Sequence, residues 1–465
     1  MKKLNIYILL LVAISAALAS CRKEDALNVD VNDLNPDDPA LTTALDAWLT
    51  TNFLDPYNAA VIYRYNRYYH DNEKNIAPVK ADMVKPTMET VLHGYIEPYY
   101  KIAGRDFIKR TIPKEWVLYG SYSYNSDGVV IAGTASAGRR ITLYGLNNYQ
   151  PTADFASGHL GVIHHEFGHI LNQLVPIPTD FESISKGDYK ATWSSTPADT
   201  SHKYGFVSSY ASGSYPEDYA ETIRALLVSG QSWYDYWANS AALPPLNSAI
   251  GKTRLKAKEA NVVTYFNSGL GINFRALQKE VQQYMINVLG DQTKYFGYWL
   301  KRNLYKTLTI NLEDGMYGTY GIGPDFANAY NSLKAQVDAK YTNKYHVDYL
   351  QLRFESATAL TVRFAFTAAS GGTQYAADYT FNYAVGADNQ TVTFTKVAQA
   401  GTTGSYANAN LFTTEFANTI QAYLTSDSFK ADWLPANASP DLYTKVAGFS
   451  SSTSAQQFFY GPLTQ

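Results

Sequence analysis

The stretch VIHHEFGHILNQ, Val162 to Gln173, places His165 and His169 four residues apart with Glu166 directly after the first. Four residues make about one helical turn, so both imidazoles leave the same side of a helix and can offer nitrogens to one tetrahedral ion, for which zinc is the natural partner. Glu166 does not need to bind the metal. Its carboxylate can take a proton from water attacking a carbonyl and return it to the leaving amine. His164 points about a third of a turn away from His165 and reads as a neighbour rather than a ligand. Catalytic zinc takes three protein ligands and keeps one open position, so another residue must complete the set. A third histidine further along the same stretch is ruled out, because the pattern needs histidine at 175 and glycine at 172, where the chain has Val175 and Asn172. The segment YPEDYAETIRALL instead offers Glu217 and Glu221, one turn apart on one face. The same residues fit a plainer account: Ser214 to Glu217 as a helix start with its capping glutamate, and Asp218 and Glu221 as surface charges.

These side chains need a helix that packs without using them. On a helical wheel Leu160, Ile163, Phe167, Ile170, Leu171 and Leu174 fall in one stripe, with His165 and His169 nearly opposite. Upstream, DPALTTALDAWLTTNFLDPY reads as a helix with Asp38 as cap and Pro39 in the first turn. AAVIYRYNRYY alternates as a strand, MVKPTMETVLHGYIEPYYKIAG returns to helical spacing, and EWVLYGSYSYN, GVVIAGTAS and RRITLYGLNNY read as short strands. The last of these, residues 139–149, is the candidate cleft edge for an extended peptide, with a plain sheet strand as the alternative. After the histidines comes a long polar segment rich in turn formers, a kind of loop that is usually functional. A second helix is expected from Tyr215 to about Val228, then a mostly helical stretch to 342. From about Tyr345, YLQLRFES, LTVRFAFTA, AADYTFNYAV and QTVTFTKVAQ alternate as antiparallel strands. The expected fold class is therefore α+β with an antiparallel all-β C-terminal domain. Clustered exposed aromatics on that domain would favour ligand binding, and a polar surface would favour support.

At 465 residues two or three domains are expected, and 39 tyrosines suit strands and hydrogen-bonding loops. A net charge of -3 recommends no nucleic acid as partner. The start, MKKLNIYILLLVAISAALASC, has the charged, apolar and small-residue regions of a signal peptide. Its ending Leu18-Ala19-Ser20-Cys21 resembles a bacterial lipobox, which implies cleavage before Cys21 and a lipid anchor there. Lipidation of the chain's single cysteine leaves no thiol for disulfides or catalysis. Arg22-Lys23-Glu24-Asp25 resembles the surface-export signal of Bacteroidota lipoproteins. Domain expectations follow: signal peptide 1–20, tether 21–38, catalytic domain 39–235, a helical segment 236–342 completing it, and the β-rich domain 343–465.

His165-Glu166-Phe167-Gly168-His169, then Tyr210 and Glu217-Asp218-Tyr219-Ala220-Glu221, resembles the gluzincin pattern of anthrax lethal-factor-type peptidases. That resemblance implies a zincin-like domain with Glu217 as third zinc ligand and Tyr210 as hydrogen-bond donor to the transition state. It further implies that Glu221 orients a zinc-bound histidine. Tyr204 and Tyr215 flank Tyr210 and are alternatives to it. Over most of its length the chain also resembles the Bacteroidota substrate-import-associated zinc metallohydrolase lipoproteins. The lipobox, LDAWLTTNFLDPYNAAVIYRY, GRRITLYGLNNY, HHEFGHILNQ and FVSSYASGSYPEDYAE carry the likeness. It implies a surface-exposed outer-membrane lipoprotein beside a TonB-dependent transporter and a substrate-capturing lipoprotein, acting on peptide or glycopeptide. The alternatives are a zinc hydrolase of another amide or ester, and a non-catalytic capture protein on the same scaffold.

Overall fold

The computed structural model describes residues 43–465 except 72, 126, 127, 137 and 369. The lipobox, Cys21, the tether and the helix start expected at Asp38 and Pro39 lie outside the described residues. The chain divides into two units, Met1–Thr51 and Asn52–Gln465. In the first, helix α1 (Ala44–Leu49) is capped by Thr43, whose hydroxyl accepts from the Asp46 backbone while the Asp46 carboxylate accepts from Thr43.

The first part of the second unit holds six short strands among its helices: β1 (Ala60–Ile62), β2 (Glu115–Leu118), β3 (Ser123–Tyr124), β4 (Val130–Ile131), β5 (Gly133–Ser136) and β6 (Arg140–Leu143). Four form a sheet in the order β1-β2-β6-β5, and β3 pairs with β4 as a separate hairpin. β1, β2 and β6 run parallel, while β5 is antiparallel to β6. β6 is therefore an inner strand. The cleft edge expected at residues 139–149 belongs instead to β5. The physical reason is visible in burial: Ile141, Thr142 and Leu143 are all buried, as a strand paired on both sides requires, whereas Gly133 to Ser136 stay partly open. Of AAVIYRYNRYY only Ala60–Ile62 is strand, and Arg67–Tyr69 forms a 3-10 turn.

Helices α2 (Ala81–Val91) and α3 (Glu97–Ala103) are joined through a wider turn at Leu92–Ile96, and α4 is Arg105–Thr111. Helix α5 (Ala153–Leu174) carries the two-histidine motif. Its stripe packs as the spacing predicts, with Leu160, Ile163, Phe167 and Leu171 fully buried, each stabilising by about 1.5–3 kcal/mol. Phe167 meets the rings of Tyr95 and Tyr99 edge-on at 5.0 and 4.9 Å. Leu174 departs from the stripe, 55% exposed, because the helix ends there. Helices α6 (Tyr215–Arg224), α7 (Gln231–Ala241), α8 (Ala249–Thr264) and α9 (Phe274–Asn287) complete the metal-bearing part.

The C-terminal part is a closed antiparallel barrel of eight strands: β7 (Thr307–Ile310), β8 (Tyr345–Phe354), β9 (Ala359–Ala368), β10 (Gln374–Val385), β11 (Thr391–Lys396), β12 (Phe429–Asp432), β13 (Val446–Ser451) and β14 (Phe458–Thr464). β7 sits between β14 and β8. Helix α10 (Pro324–Lys340) sends Phe326, Tyr330, Leu333 and Val337 into the same core as Phe364, Phe449 and Phe459. So the barrel part begins near Phe296 rather than at 343, and nearly half of the segment 236–342 belongs to it. β7 alone is too short to announce itself among helices. Among the described residues after 343, Tyr375 and Leu411 are the large apolar side chains left exposed, and no aromatic face gathers there. Trp433 donates to the Lys294 carbonyl at 2.8 Å and Tyr305 bonds Ser232 at 2.9 Å, tying barrel to helices.

Candidate metal centre

Helices α5 and α6 cross where Gly168 faces Ala220. A Cβ on Gly168 would stand 3.3 Å from the Ala220 Cα, so the two small residues set the closeness of the crossing. Gly168 lies just before His169 and Ala220 just before Glu221, so this one contact brings the histidines against the glutamates. Nε2 of His165 lies 3.1 Å from Oε2 of Glu217 and 3.2 Å from Nε2 of His169, which is itself 3.4 Å from the same Glu217 oxygen. Three lone-pair donors thus converge from His165, His169 and Glu217. Two imidazole nitrogens and one carboxylate oxygen, each within 3.4 Å of the other two, are the donor set of catalytic zinc.

Glu221 reaches the other edge of the His165 ring. Its Oε1 lies 2.9 Å from Nδ1, and its carboxylate is gripped by Nε and Nη2 of Arg224 at 2.8 and 2.9 Å and by the Ser208 hydroxyl at 2.8 Å. Neither the capping nor the surface-charge account describes these residues. Ser214 is the cap residue of α6 without a side-chain bond, and Asp218, fully buried, pairs with Lys258 at 2.7 Å and accepts from Tyr189 at 2.9 Å. His164 is fully buried on the Gly94 carbonyl at 3.2 Å, away from the cluster.

Electrostatics favour a cation at the focus. Burial works against the charged form of His165, but hydrogen bonds to Glu217 and Glu221 prevail and push it up to about 9. Burial raises Glu217, yet its bonds to His165 and His169 hold it well below the carboxylate range. Glu221, likewise opposed by burial, is brought to about 2 by His165 and Arg224. Glu166 moves the other way, raised chiefly by burial. No hydrogen bond from the described residues engages its carboxylate, and it lines the cleft.

That cleft measures about 570 Å³ and is lined by Asn125, Val129 to Ala135, Val162, His165, Glu166, Trp193, Tyr210 and Glu221. Tyr210 lies in the 3-10 turn Tyr210–Gly213, its hydroxyl bonded to Glu217, while Tyr204 and Tyr215 do not line the cleft. The long polar segment is thus functional in position, delivering Trp193, Ser208 and Tyr210. It also contains helices, Thr179–Ser185 and Ala198–Lys203. Sequence reasoning missed Ser208 and Arg224. Arg224, three residues after Glu221 on one helix, carried a usable spacing signal; Ser208 carried none.

With this geometry in place, the chain belongs to the family described as "Putative zinc-binding metallo-peptidase", whose profile matches residues 38–275. The match ends inside α9 and so covers the helices that build the metal centre; zinc is the cofactor. A crystal structure titled as a putative zinc-binding metallo-peptidase from Bacteroides caccae is 26% identical, covering 54% of this chain and 95% of that one, with a TM-score of 0.45. No curated protein matches the sequence.

Proposed function

We propose that this zinc metallopeptidase hydrolyses peptide or glycopeptide bonds at the outer-membrane surface, anchored through Cys21 and working beside a nutrient importer and its capture lipoprotein. The membrane and import parts of this reading are supported by the N-terminal signal pattern and the resemblance it shares. The chemical part is carried by one observation: His165, His169 and Glu217 converge on a point beside the unengaged carboxylate of Glu166.

In this reading His165, His169 and Glu217 hold the ion, which supplies Lewis-acid polarisation of a carbonyl and of water. Glu166 takes the proton of the attacking water and delivers it to the leaving amine, a role suited to a carboxyl that burial has raised. Tyr210 donates a hydrogen bond to the oxyanion as it forms. Glu221 fixes the His165 ring so that Nε2 turns towards Glu217 and His169, where the ion would be held. An extended substrate adds to the free edge of β5. The Tyr144 amide donates to the Ala132 carbonyl, and alternation then directs the backbone groups of Gly133 and Ala135 outward. The barrel, among whose described residues no aromatic face gathers, serves in this reading as support for the catalytic helices.

The test is zinc content and peptide-library hydrolysis, wild type beside Glu166→Gln. Hydrolysis by wild type alone, with zinc in both, supports the peptidase. Zinc in both and cleavage by neither would remove it and favour a capture protein.

A further inference from the structure

The cleft before Glu166 has apolar walls drawn from separate segments. Val129, Val130 and Ile131 come from the β3–β4 hairpin and the turn leading into it, Val162 comes from α5, and Trp193 comes from the segment between α5 and α6. Val129 and Val130 are 43% and 50% exposed, and Tyr124 of the same hairpin is 53% exposed. Neighbouring large apolar side chains left in water at the mouth of a cleft mark a surface that something covers. Trp193 is held at the cleft rather than folded away. Its indole stands edge-on to Tyr210 with centroids 4.8 Å apart, and it leaves so little room at Gly213 that a Cβ there would come within 2.9 Å.

Among the described residues, charge in the lining comes solely from the centre itself, from His165, Glu166 and Glu221; the other polar side chains are Asn125, Thr134 and Tyr210. Among the described residues, then, no lysine or arginine waits for an acidic side chain, and no spare carboxylate waits for a basic one. A sugar would find few side-chain partners for its hydroxyls. A branched or aromatic side chain would bury apolar area against valine, isoleucine and indole at once.

We propose that the cleft selects peptides with a bulky apolar residue beside the cut bond, seated against the hairpin valines and Trp193. This rests on the peptidase reading and names its substrate class. The peptide backbone lies along Gly133 and Ala135. Gly133 is what lets that edge approach α5, since a Cβ there would meet the Val162 Cγ1 at 2.5 Å.

Two measurements on the zinc-loaded protein test it: cleavage of a randomised peptide library, and binding of peptidyl hydroxamates differing only in a Phe, Leu, Asp or Lys side chain. Cuts are expected beside Phe, Leu, Met or Ile, with the Phe and Leu hydroxamates bound at least about tenfold tighter than the charged pair. Trp193→Ala should bring that ratio towards one with zinc content unchanged. Val130→Lys, at a half-exposed position that tolerates substitution, should turn the preference towards Asp. Equal binding of all four hydroxamates, a preference that neither variant moves, or one that follows an attached sugar would overturn the proposal. Discrimination among hydroxamates without any cleavage would leave the apolar subsite standing and remove the peptidase reading. Cleavage without apolar preference would do the reverse.

Discussion

The Nδ1 of His165 sits 2.9 Å from Glu221 while its Nε2 sits 3.1 Å from Glu217, so two glutamates one turn apart on α6 grip opposite edges of one ring. Their different surroundings separate their roles. Glu221 has both oxygens occupied by Arg224 and Ser208 as well as His165, whereas Glu217 faces His165, His169 and Tyr210.

Glu217→Ala should therefore lose zinc outright, measured as metal content after gel filtration. Glu221→Ala and Arg224→Met should keep zinc but weaken its retention about 10–100-fold in competition with a chelator. The opposite order would make Glu221 the ligand.

Glu166→Gln removes the proton carrier while leaving the three donors in place. Zinc content should be unchanged and kcat should fall by about 10²–10⁴-fold. Tyr210→Phe should lower kcat by about 10²–10³-fold with KM little altered, as expected for a donor used by the oxyanion alone.

Asp218 and Lys258 are both fully buried and 2.7 Å apart, one residue along from Glu217. Removing one partner strands a charge in the core. Lys258→Met should cost about 3–5 kcal/mol in denaturant unfolding, and Lys258→Met with Asp218→Asn should recover much of it. Because α6 carries both Asp218 and Glu217, the single variant should also release zinc more readily.

His202 is buried, stacks on Trp237 at 3.7 Å and donates to the Trp237 carbonyl at 2.7 Å. Burial lowers its pKa below the usual value of about 6.5. The unfolded chain thus takes up a proton that the folded chain resists. The contribution of His202 to stability is complete above about pH 6.5 and declines as pH falls through that value. His202→Phe, which keeps the stack, should flatten the fall in melting temperature below pH 6.5. An unchanged acid limb would assign the effect elsewhere.

The legible parts of the molecule were those with local periodicity. Leu160, Ile163, Phe167 and Leu171 announce one face of α5, and the same spacing placed α6 within a residue of its start at Tyr215. The long barrel strands alternate clearly enough to be read singly. Pairing order is another matter, because β5 and β6 have four residues each and nothing within either tells which lies at an edge. Trp193 and Ser208 lie in turns, where side-chain direction depends on contacts distant in sequence. Arg224, three residues after Glu221 on one helix, was within reach of a spacing argument.

The place of β7 between β14 and β8 governs the order in which this protein can be made. Thr307–Ile310 leaves the ribosome well after the metal helices, and its partner Phe458–Thr464 follows only after six further strands. Until then β7 carries an open edge that can pair with the wrong neighbour. A chain severed at 343 would separate β7 from both partners and expose two raw edges on the remaining seven strands, so the two halves on either side of that point are obliged to mature together.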